Sequence, residues 1–169
     1  MSELQATPAA EFLARLDMVE QRLAAHAAGD ASRAAGRLTA PDRGTGEQWQ
    51  WGQVWAHLAE FIPYWLAQSR TVIDSYAGEP VPFGRVKSDP ERIAAIERDR
   101  GAAVDELWQR LQGHIADLRM FLRHLPDDAW AARGAHQTLG VMTLPHIVDE
   151  FLVGHLEQHA TQLDGLVRA

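Results

Sequence analysis

The chain has 169 residues, 46% of them hydrophobic, and a formal net charge of −7. This length and composition are typical of a globular protein, so we expect one domain over 1–169. The negative charge argues against nonspecific binding to nucleic acids, which depends on lysine and arginine at phosphates. The absence of cysteine excludes disulfides, thiolate metal sites and a cysteine nucleophile.

The sequence carries no sign of membrane insertion or export. No apolar run is long enough to cross a bilayer, and the first eight residues lack the basic and apolar regions of a signal peptide. We therefore expect a cytoplasmic protein that binds neither membrane nor nucleic acid. A glycine-rich phosphate loop and a Gly-x-Ser-x-Gly motif are both missing from the sequence.

The first predicted helix begins at Thr7-Pro8, because threonine is a good N-cap and proline fits the first helical position. Its apolar face consists of Phe12, Leu16, Val19 and Leu23. The pattern ends at Gly29-Asp30. Residues 29–48 are then rich in Gly, Ala, Arg and Thr, which predicts a long loop with one short helical turn around Ala31–Ala35.

The second predicted helix runs from about Trp51 to Tyr76, and Pro63 should kink it one turn beyond His57. Its expected core positions are Val54, Leu58, Phe61, Trp65, Val72 and Ile73. Three tryptophans cluster at its start: Trp49, Trp51 and Trp55. We interpret this cluster as packing at the end of a bundle, in preference to a binding platform.

The third predicted helix follows a loop at 77–89 and begins at Asp89-Pro90-Glu91, which combines an N-cap, a proline and an early acid. Its expected core positions are Ile93, Ile96, Val104, Leu107, Leu111, Leu118, Phe121 and Leu125. Gly101 and Gly113 are expected to bend this long helix. His114 lies on the same apolar face. We rank three roles for it: a core residue first, a residue that supports a site residue second, and a residue that contacts a substrate third.

The fourth predicted helix begins at Thr143-Leu144-Pro145, with Thr143 as its N-cap. A loop containing Trp130, Gly134 and His136 precedes it, and no segment shows a strand pattern. Four helices of these lengths predict an all-α fold, an antiparallel four-helix bundle.

Two histidines on the fourth helix, His155 and His159, lie four residues apart and therefore share one face. They continue an apolar stripe made of Leu144, Val148, Phe151, Leu152, Leu163 and Leu166. Burying an unpaired polar group costs about 1–3 kcal/mol. One shared metal ion would satisfy both imidazoles. The alternative is a pair of ordinary histidines that bond to backbone carbonyls or lie at the edge of the core.

A metalloprotease motif is excluded, because it needs glutamate directly after the first histidine and here Leu156 follows His155. Glu157 should point to solvent, about 200° around the helix from His155. His146 should lie on the opposite side of the helix and is left out of the site. His57, beside the apolar stripe of the second helix, is the candidate third ligand. Three imidazoles leave open coordination positions, as catalytic metal sites do.

Two segments of the chain are similar to motifs of a known family. One is Trp51-Gly-Gln-Val-Trp-Ala-His57-Leu-Ala, and the other is His155-Leu-Glu-Gln-His159-Ala-Thr-Gln-Leu. On these motifs the sequence resembles the DinB/YfiT-like family, which includes the N-terminal domain of mycothiol-dependent maleylpyruvate isomerase. The segments Leu125-Pro-Asp-Asp-Ala-Trp130 and Thr143-Leu-Pro-His-Ile also fit the family layout, so the resemblance covers nearly the whole chain.

The resemblance implies a DinB-like bundle that binds a divalent metal, zinc or nickel, through His57, His155 and His159. It further implies a low-molecular-weight thiol such as mycothiol as cosubstrate, in a transferase or isomerase reaction. A coordinated thiol is present as thiolate, which is the role that the metal would serve. Two alternatives stay open: a metal-dependent hydrolase, and a non-catalytic stress-related binding bundle whose metal is structural or absent. A homodimer is a further expectation.

Antiparallel second and fourth helices predict where a substrate would enter. The start of the second helix would meet the end of the fourth, so the Trp49–Trp55 segment and the 29–48 loop should lie near the site. The 77–89 loop should be remote. Arginines in the near loop, Arg33, Arg37 and Arg43, would then meet an anionic substrate, unless they are ordinary solvated charges.

Overall fold

The computed structural model describes residues 8–168 of the chain. Within this range the helices are α1 (Pro8–Ala27), α2 (Trp51–Leu58), α3 (Phe61–Ser75), α4 (Pro90–Asp99), α5 (Val104–His124), α6 (Leu144–Val148) and α7 (Gly154–Val167). Short 3₁₀ turns span Ala31–Ala34 and Asp127–Ala131, and a π turn spans Asp149–Val153. The strands are β1 (Val81–Phe83), β2 (Arg133–His136) and β3 (Gly140–Thr143).

The protein is mostly helical, with one hydrophobic core between α1, α2, α3, α5 and α7. All four apolar residues predicted for α1 are buried. The helix begins at Pro8, whereas the predicted cap Thr7 lies outside the described residues. The predicted turn after α1 is confirmed as the 3₁₀ turn at Ala31–Ala34. No helix within 8–168 is long and apolar enough to cross a membrane.

The predicted second helix is broken into α2 and α3. Ala59 still donates its N–H to Trp55 O at 3.0 Å, but Glu60 donates to His57 O at 3.1 Å, which tightens the chain into a shorter turn. Pro63 explains the position of the break, because it has no N–H to bond to the carbonyl one turn earlier. As the third residue of α3 it occupies the first helical turn, where an N–H would lack a partner anyway.

The predicted third helix is also two helices, α4 and α5, separated at Gly101. The Asp89 side chain caps α4 by accepting a hydrogen bond from Arg92 N at 3.0 Å. Gly113 lies within an unbroken α5, so only one of the two expected bends occurs. Ile93 was wrongly assigned to the core, since it is 45% exposed on the outer side of α4. The buried Ile115 of α5 was missed.

A three-stranded sheet contradicts the expectation of a purely helical chain. β1 pairs in parallel with β2, and β2 pairs with β3 as an antiparallel hairpin. The register places Phe83 opposite His136 and His136 opposite Gly140. These strands escaped prediction because they are three or four residues long and β1 finds its partner about fifty positions further along the chain. Strands this short leave no local alternation of apolar and polar residues from which they could be predicted.

The predicted fourth helix is α6, a π turn and α7 in succession. Its predicted N-cap is confirmed, because Thr143 Oγ1 accepts a hydrogen bond from His146 N at 3.4 Å. Gly154 ends the π turn, and a Cβ on this residue would lie 2.3 Å from Asp149 O. Only glycine therefore allows the wide turn to close directly before His155.

Candidate metal centre

Three histidines from two helices meet at the end of the bundle. His57 lies on α2, whereas His155 and His159 lie on α7. His155 Nε2 is 2.9 Å from His57 Nε2 and 3.0 Å from His159 Nε2. His57 and His159 are only 3% and 5% exposed. The structure thus brings together the three residues that were singled out from the sequence, in an arrangement that could hold a metal ion.

The outer nitrogens of two of these rings face oxygen acceptors. His159 Nδ1 lies 2.7 Å from Gln162 Oε1, and His57 Nδ1 lies 2.6 Å from Glu60 Oε1. The second contact is short although the ring is not aligned for a good hydrogen bond. A nitrogen lone pair this close to a carboxylate or amide oxygen would be repelled, so each Nδ1 carries the proton. The Nε2 lone pairs of His57 and His159 therefore face His155.

Hydrogen bonds within the cluster cannot satisfy all three rings. A neutral His155 has at most one proton on Nε2 and can donate it to only one of its two neighbours. The Nε2 lone pair of the other neighbour would then lie close to His155 Nε2 without receiving a proton from it. A divalent cation resolves this, since two nitrogens at about 2.1 Å from one ion and at ordinary coordination angles lie about 3.0–3.4 Å apart. The donor set and its spacing therefore fit a first-row metal.

Burial keeps these imidazoles neutral. It lowers the pKa of His159 to about 4 and holds the pKa values of His57 and His155 well below their ordinary value. The positive charge of Arg92 acts in the same direction on all three rings. Because only neutral imidazole binds a metal, the cluster is ready for ligation at neutral pH.

Two aromatic rings pack against the histidines. Phe61 meets His155 edge to face, with ring centroids 4.8 Å apart. Trp49 stacks on His159 and meets the edge of His57 at 5.1 Å. The packing role predicted for the tryptophan cluster holds for the fully buried Trp55. Trp49, in contrast, forms part of the wall of the site.

A cavity of about 550 Å³ opens beside the three Nε2 atoms. Its walls come from the loop 39–49, residues 85–88, the hairpin residues 136–139 and α7. Ligand sites for small molecules have volumes of about 300–1,000 Å³. The cluster therefore faces a space that accepts a small organic molecule.

The 77–89 loop was expected to be remote from the site, and this expectation is wrong. Residues 85–88 of this loop line the cavity, and the segment 84–88 is called the strap below. Gly84, at φ +92°, turns the chain back after β1. Gly84 N donates to Gln68 Oε1 at 2.7 Å, and His136 Nε2 donates to Arg85 O at 3.1 Å. The sheet that was missed in the sequence is what brings the strap to the site.

The cations at the cavity consequently differ from those expected. Arg33 and Arg37 lie outside the cavity wall, and Arg43 borders a neighbouring shallow groove. The wall instead contains three other cations: Arg85, Lys87 and Arg92. Each meets a carboxylate, in the pairs Arg85–Glu60 at 2.7 Å, Lys87–Asp42 at 2.5 Å and Arg92–Glu47 at 3.5 Å. Because the Arg92–Glu47 contact is the longest of the three, the positive charge of Arg92 is the least neutralised.

The remaining candidate residues lie away from the cluster. His146 is exposed, in agreement with its exclusion from the site. His114 is half-buried on α5, and burial lowers its pKa while its Nδ1 finds no hydrogen-bond partner among the described residues. Glu157 does not point freely to solvent as expected, because Arg15 of α1 binds both of its carboxylate oxygens at 2.6 and 3.0 Å.

Two polar residues behind the histidines were missed in the sequence. Glu60 follows His57 by three positions, and Gln162 follows His159 by three positions. Residues three apart on a helix are neighbours on its surface, so this shared spacing is a signal that could have identified both.

Comparison with known proteins rests on solved structures, since neither a family model nor a curated protein matches the chain. YfiT from Bacillus subtilis, described as a probable metal-dependent hydrolase with an unusual four-helix bundle topology, matches with a TM-score of 0.70. The match covers 99% of this chain and 89% of YfiT at 20% identity. An uncharacterized protein from Clostridium difficile 630 matches over 96% of both chains, with a TM-score of 0.63 and 11% identity.

The mycothiol-dependent maleylpyruvate isomerase matches with a TM-score of 0.67 and 16% identity. The match covers 96% of this chain but 63% of the isomerase, which is the longer protein. Likenesses at these identities establish the fold. The resemblance drawn from the two histidine motifs is thereby supported at the level of the fold, which the chain shares with YfiT and with the isomerase.

Proposed function

We propose that the protein is an enzyme that holds one divalent metal on His57, His155 and His159 and acts on a small molecule in the adjacent cavity. The observation that carries this proposal is the convergence of three Nε2 atoms at the wall of a cavity of about 550 Å³. A purely structural site would be closed to ligands, whereas this one faces open space.

The residues of the chain have separable tasks in this proposal. The metal, when bound, supplies positive charge that lowers the pKa of a thiol or of water. Phe61 covers His155 on the core side, and Trp49 covers His159 in the cavity wall, so both limit the directions from which a ligand can reach the histidines. Arg92 and Lys87 in the wall offer N–H donors to an anionic group of the ligand.

A transferase or isomerase that uses a low-molecular-weight thiol is the reaction class that we favour. The chain has no cysteine, so a thiol in the site has to come from a second molecule. One similar structure is a mycothiol-dependent isomerase, and the cavity is large enough for a thiol and part of an acceptor. Imidazole ligands suit zinc and nickel, which are the metals we propose.

A metal-dependent hydrolase is the second candidate. YfiT, which matches over 89% of its own length compared with 63% for the isomerase, is described as a probable metal-dependent hydrolase. The two candidates differ in what the cobalt-loaded protein does with a thiol. A thiolate-to-cobalt absorption band that saturates on titration supports the first. Ester or amide hydrolysis without any thiol, and no such band, supports the second.

The test of the metal centre is equilibrium binding of zinc to the purified protein and to four alanine variants. We expect His57→Ala, His155→Ala and His159→Ala each to lose more than the roughly 10–100-fold in affinity that removal of an outer partner of a ligand costs. His146→Ala, on α6 next to the same helix, is the matched control and should bind as the wild type does. Equal loss in this control would overturn the assignment of ligands, and a wild type that binds no divalent metal would overturn the function.

A further inference from the structure

Glu60 and Arg85 form a buried ion pair directly behind one of the three histidines. Glu60 lies in the break between α2 and α3, and Arg85 lies in the strap. Arg85 Nη2 is 2.8 Å from Glu60 Oε1 and 2.7 Å from Oε2. The two side chains are 8% and 9% exposed. The guanidinium carbon also lies 4.2 Å from the centroid of the Tyr64 ring, which fixes the plane of the arginine.

A pair of this kind contributes little to folding by itself. Removing two charges from water is costly, and apolar residues of similar size often stabilise a protein as well or better. The pair is therefore better explained by what the carboxylate contacts. Glu60 Oε1 lies 2.6 Å from His57 Nδ1, on the side of the ring opposite to the cluster. A carboxylate in this position favours the proton on Nδ1 and leaves Nε2 as the ligating nitrogen.

We propose that Glu60 and Arg85 are positioning residues for the metal centre: Arg85 holds the Glu60 carboxylate against His57, and the carboxylate sets the tautomer and orientation of that ring. The inference rests on the proposed function, because it assigns the pair a role in metal binding. The Glu60–Arg85 pair also connects the metal centre to the cavity wall. Arg85 belongs to the strap, and its carbonyl accepts a hydrogen bond from His136 of the hairpin.

The experiment measures zinc affinity by competition with a chelator in three variants. Glu60→Leu removes the acceptor and should weaken binding by about 10–100-fold, the usual effect of losing an outer partner of a metal-bound histidine. Glu60→Gln retains one acceptor oxygen without the charge and should lose less. Arg85→Met leaves the carboxylate in place but unheld, and should also lose less than Glu60→Leu. The visible spectrum of the cobalt-loaded variants reports any change in ligand geometry.

Two controls separate positioning from mere stability. Glu106→Gln alters an exposed carboxylate in the first turn of α5, outside the cavity wall, and should bind zinc as the wild type does. Thermal unfolding of each metal-free variant shows whether it is folded at the temperature of the titration. A Glu60→Leu protein that is less stable but binds zinc within twofold of the wild type would overturn this inference alone. Absence of zinc binding by the wild type would overturn it together with the proposed function.

Discussion

Trp49 stacks on His159, with ring centroids 5.8 Å apart and ring planes inclined by 15°. The tryptophan reaches this position because the loop 39–49 closes on itself. Trp49 N donates to Thr39 Oγ1 at 2.9 Å, and Thr39 N donates to Trp49 O at 2.8 Å. The Arg92 guanidinium lies over the same indole, 5.2 Å from its centroid. One aromatic ring therefore joins the loop, a wall cation and a candidate metal ligand.

Removal of the Trp49 ring should destabilise the protein and weaken zinc binding. Trp49→Ala creates a cavity beside His159, and truncation of a buried tryptophan costs about 3–5 kcal/mol of unfolding free energy. Zinc affinity should fall as well, because the His159 ring loses the surface that fixes it. Trp49→Phe retains an aromatic face and serves as the control. Chemical denaturation and zinc titration check both effects, and identical zinc affinities in all three proteins would show that stacking does not orient the ligand.

The stability of the metal-free protein should depend on pH below neutrality. The pKa of His159 is about 4 in the folded protein, whereas an unfolded histidine has a pKa of about 6.5. The unfolded state therefore binds more protons between these values, so stability is full above about pH 6.5 and falls as the pH approaches 4. This difference in pKa corresponds to about 3 kcal/mol for His159 alone. His57 and His155 act in the same direction.

Chemical denaturation of the metal-free protein at pH 7.5 and at pH 4.5 measures this loss. A His159→Leu variant is the matched control, because it lacks the titrating ring but keeps the other acidic and basic groups. Its stability should fall less over the same interval. Equal losses in the two proteins would contradict the assignment of the pH dependence to His159. Metal retention should decline over the same interval, since protons compete with the metal for each imidazole.

The sequence was sufficient to predict most of the helical faces and the pairing of His155 with His159, because both depend on local spacing. Residues four apart on a helix share a face whatever the rest of the fold does. His155 and His159 could therefore be paired without a structure. His57 was placed with them because it lies beside the apolar stripe of its own helix. The structure confirms that these three side chains meet.

What the sequence could not reveal depends on contacts between distant segments. The strap reaches the cavity because β1 pairs with β2, and nothing near Val81–Phe83 in the sequence specifies that partner. The expectation that this loop was remote assumed that each loop stays at its own end of the bundle. The π turn before Gly154 was hidden for another reason: its apolar pattern over Phe151–Val153 is also compatible with a regular helix.

Substitution of Gly154 should disturb the site through the backbone. A Cβ at this position would lie 2.3 Å from Asp149 O, so the π turn has to open. Overpacking of this kind costs about 1–3 kcal/mol. Because His155 follows directly, Gly154→Ala should also weaken zinc binding. Gly165→Ala on the same helix is the control, since a Cβ there meets nothing within 4 Å. It should raise stability by about 0.5–1 kcal/mol and leave zinc affinity unchanged.

Circular dichroism during denaturation and a zinc titration distinguish the two glycine variants. Opposite changes in stability, with loss of zinc affinity only in Gly154→Ala, are expected. Unchanged zinc affinity in a folded Gly154→Ala protein would show that the π turn does not set the position of His155.

The last prediction concerns which cations receive an anionic ligand. Arg92 and Lys87 lie in the cavity wall, whereas Arg33 is exposed outside it. A hydrogen bond to a charged group contributes about 1.5–3 kcal/mol, or roughly tenfold or more in affinity. Arg92→Met should therefore weaken binding of a thiol that carries a carboxylate by about that factor, and Lys87→Met by less, because Lys87 is the more exposed of the two. Arg33→Met should have no effect.

Mercaptoacetate and the neutral 2-mercaptoethanol are suitable probes, titrated against the thiolate absorption of the cobalt-loaded proteins. The wall variants should lose affinity for mercaptoacetate while their affinity for 2-mercaptoethanol stays the same, since only the first probe carries an anion to pair with the guanidinium. Equal loss for both thiols would mean that Arg92 acts by holding Trp49 in place. A loss confined to Arg33→Met would place the anion beside the 29–48 loop and contradict the arrangement of cations around this cavity.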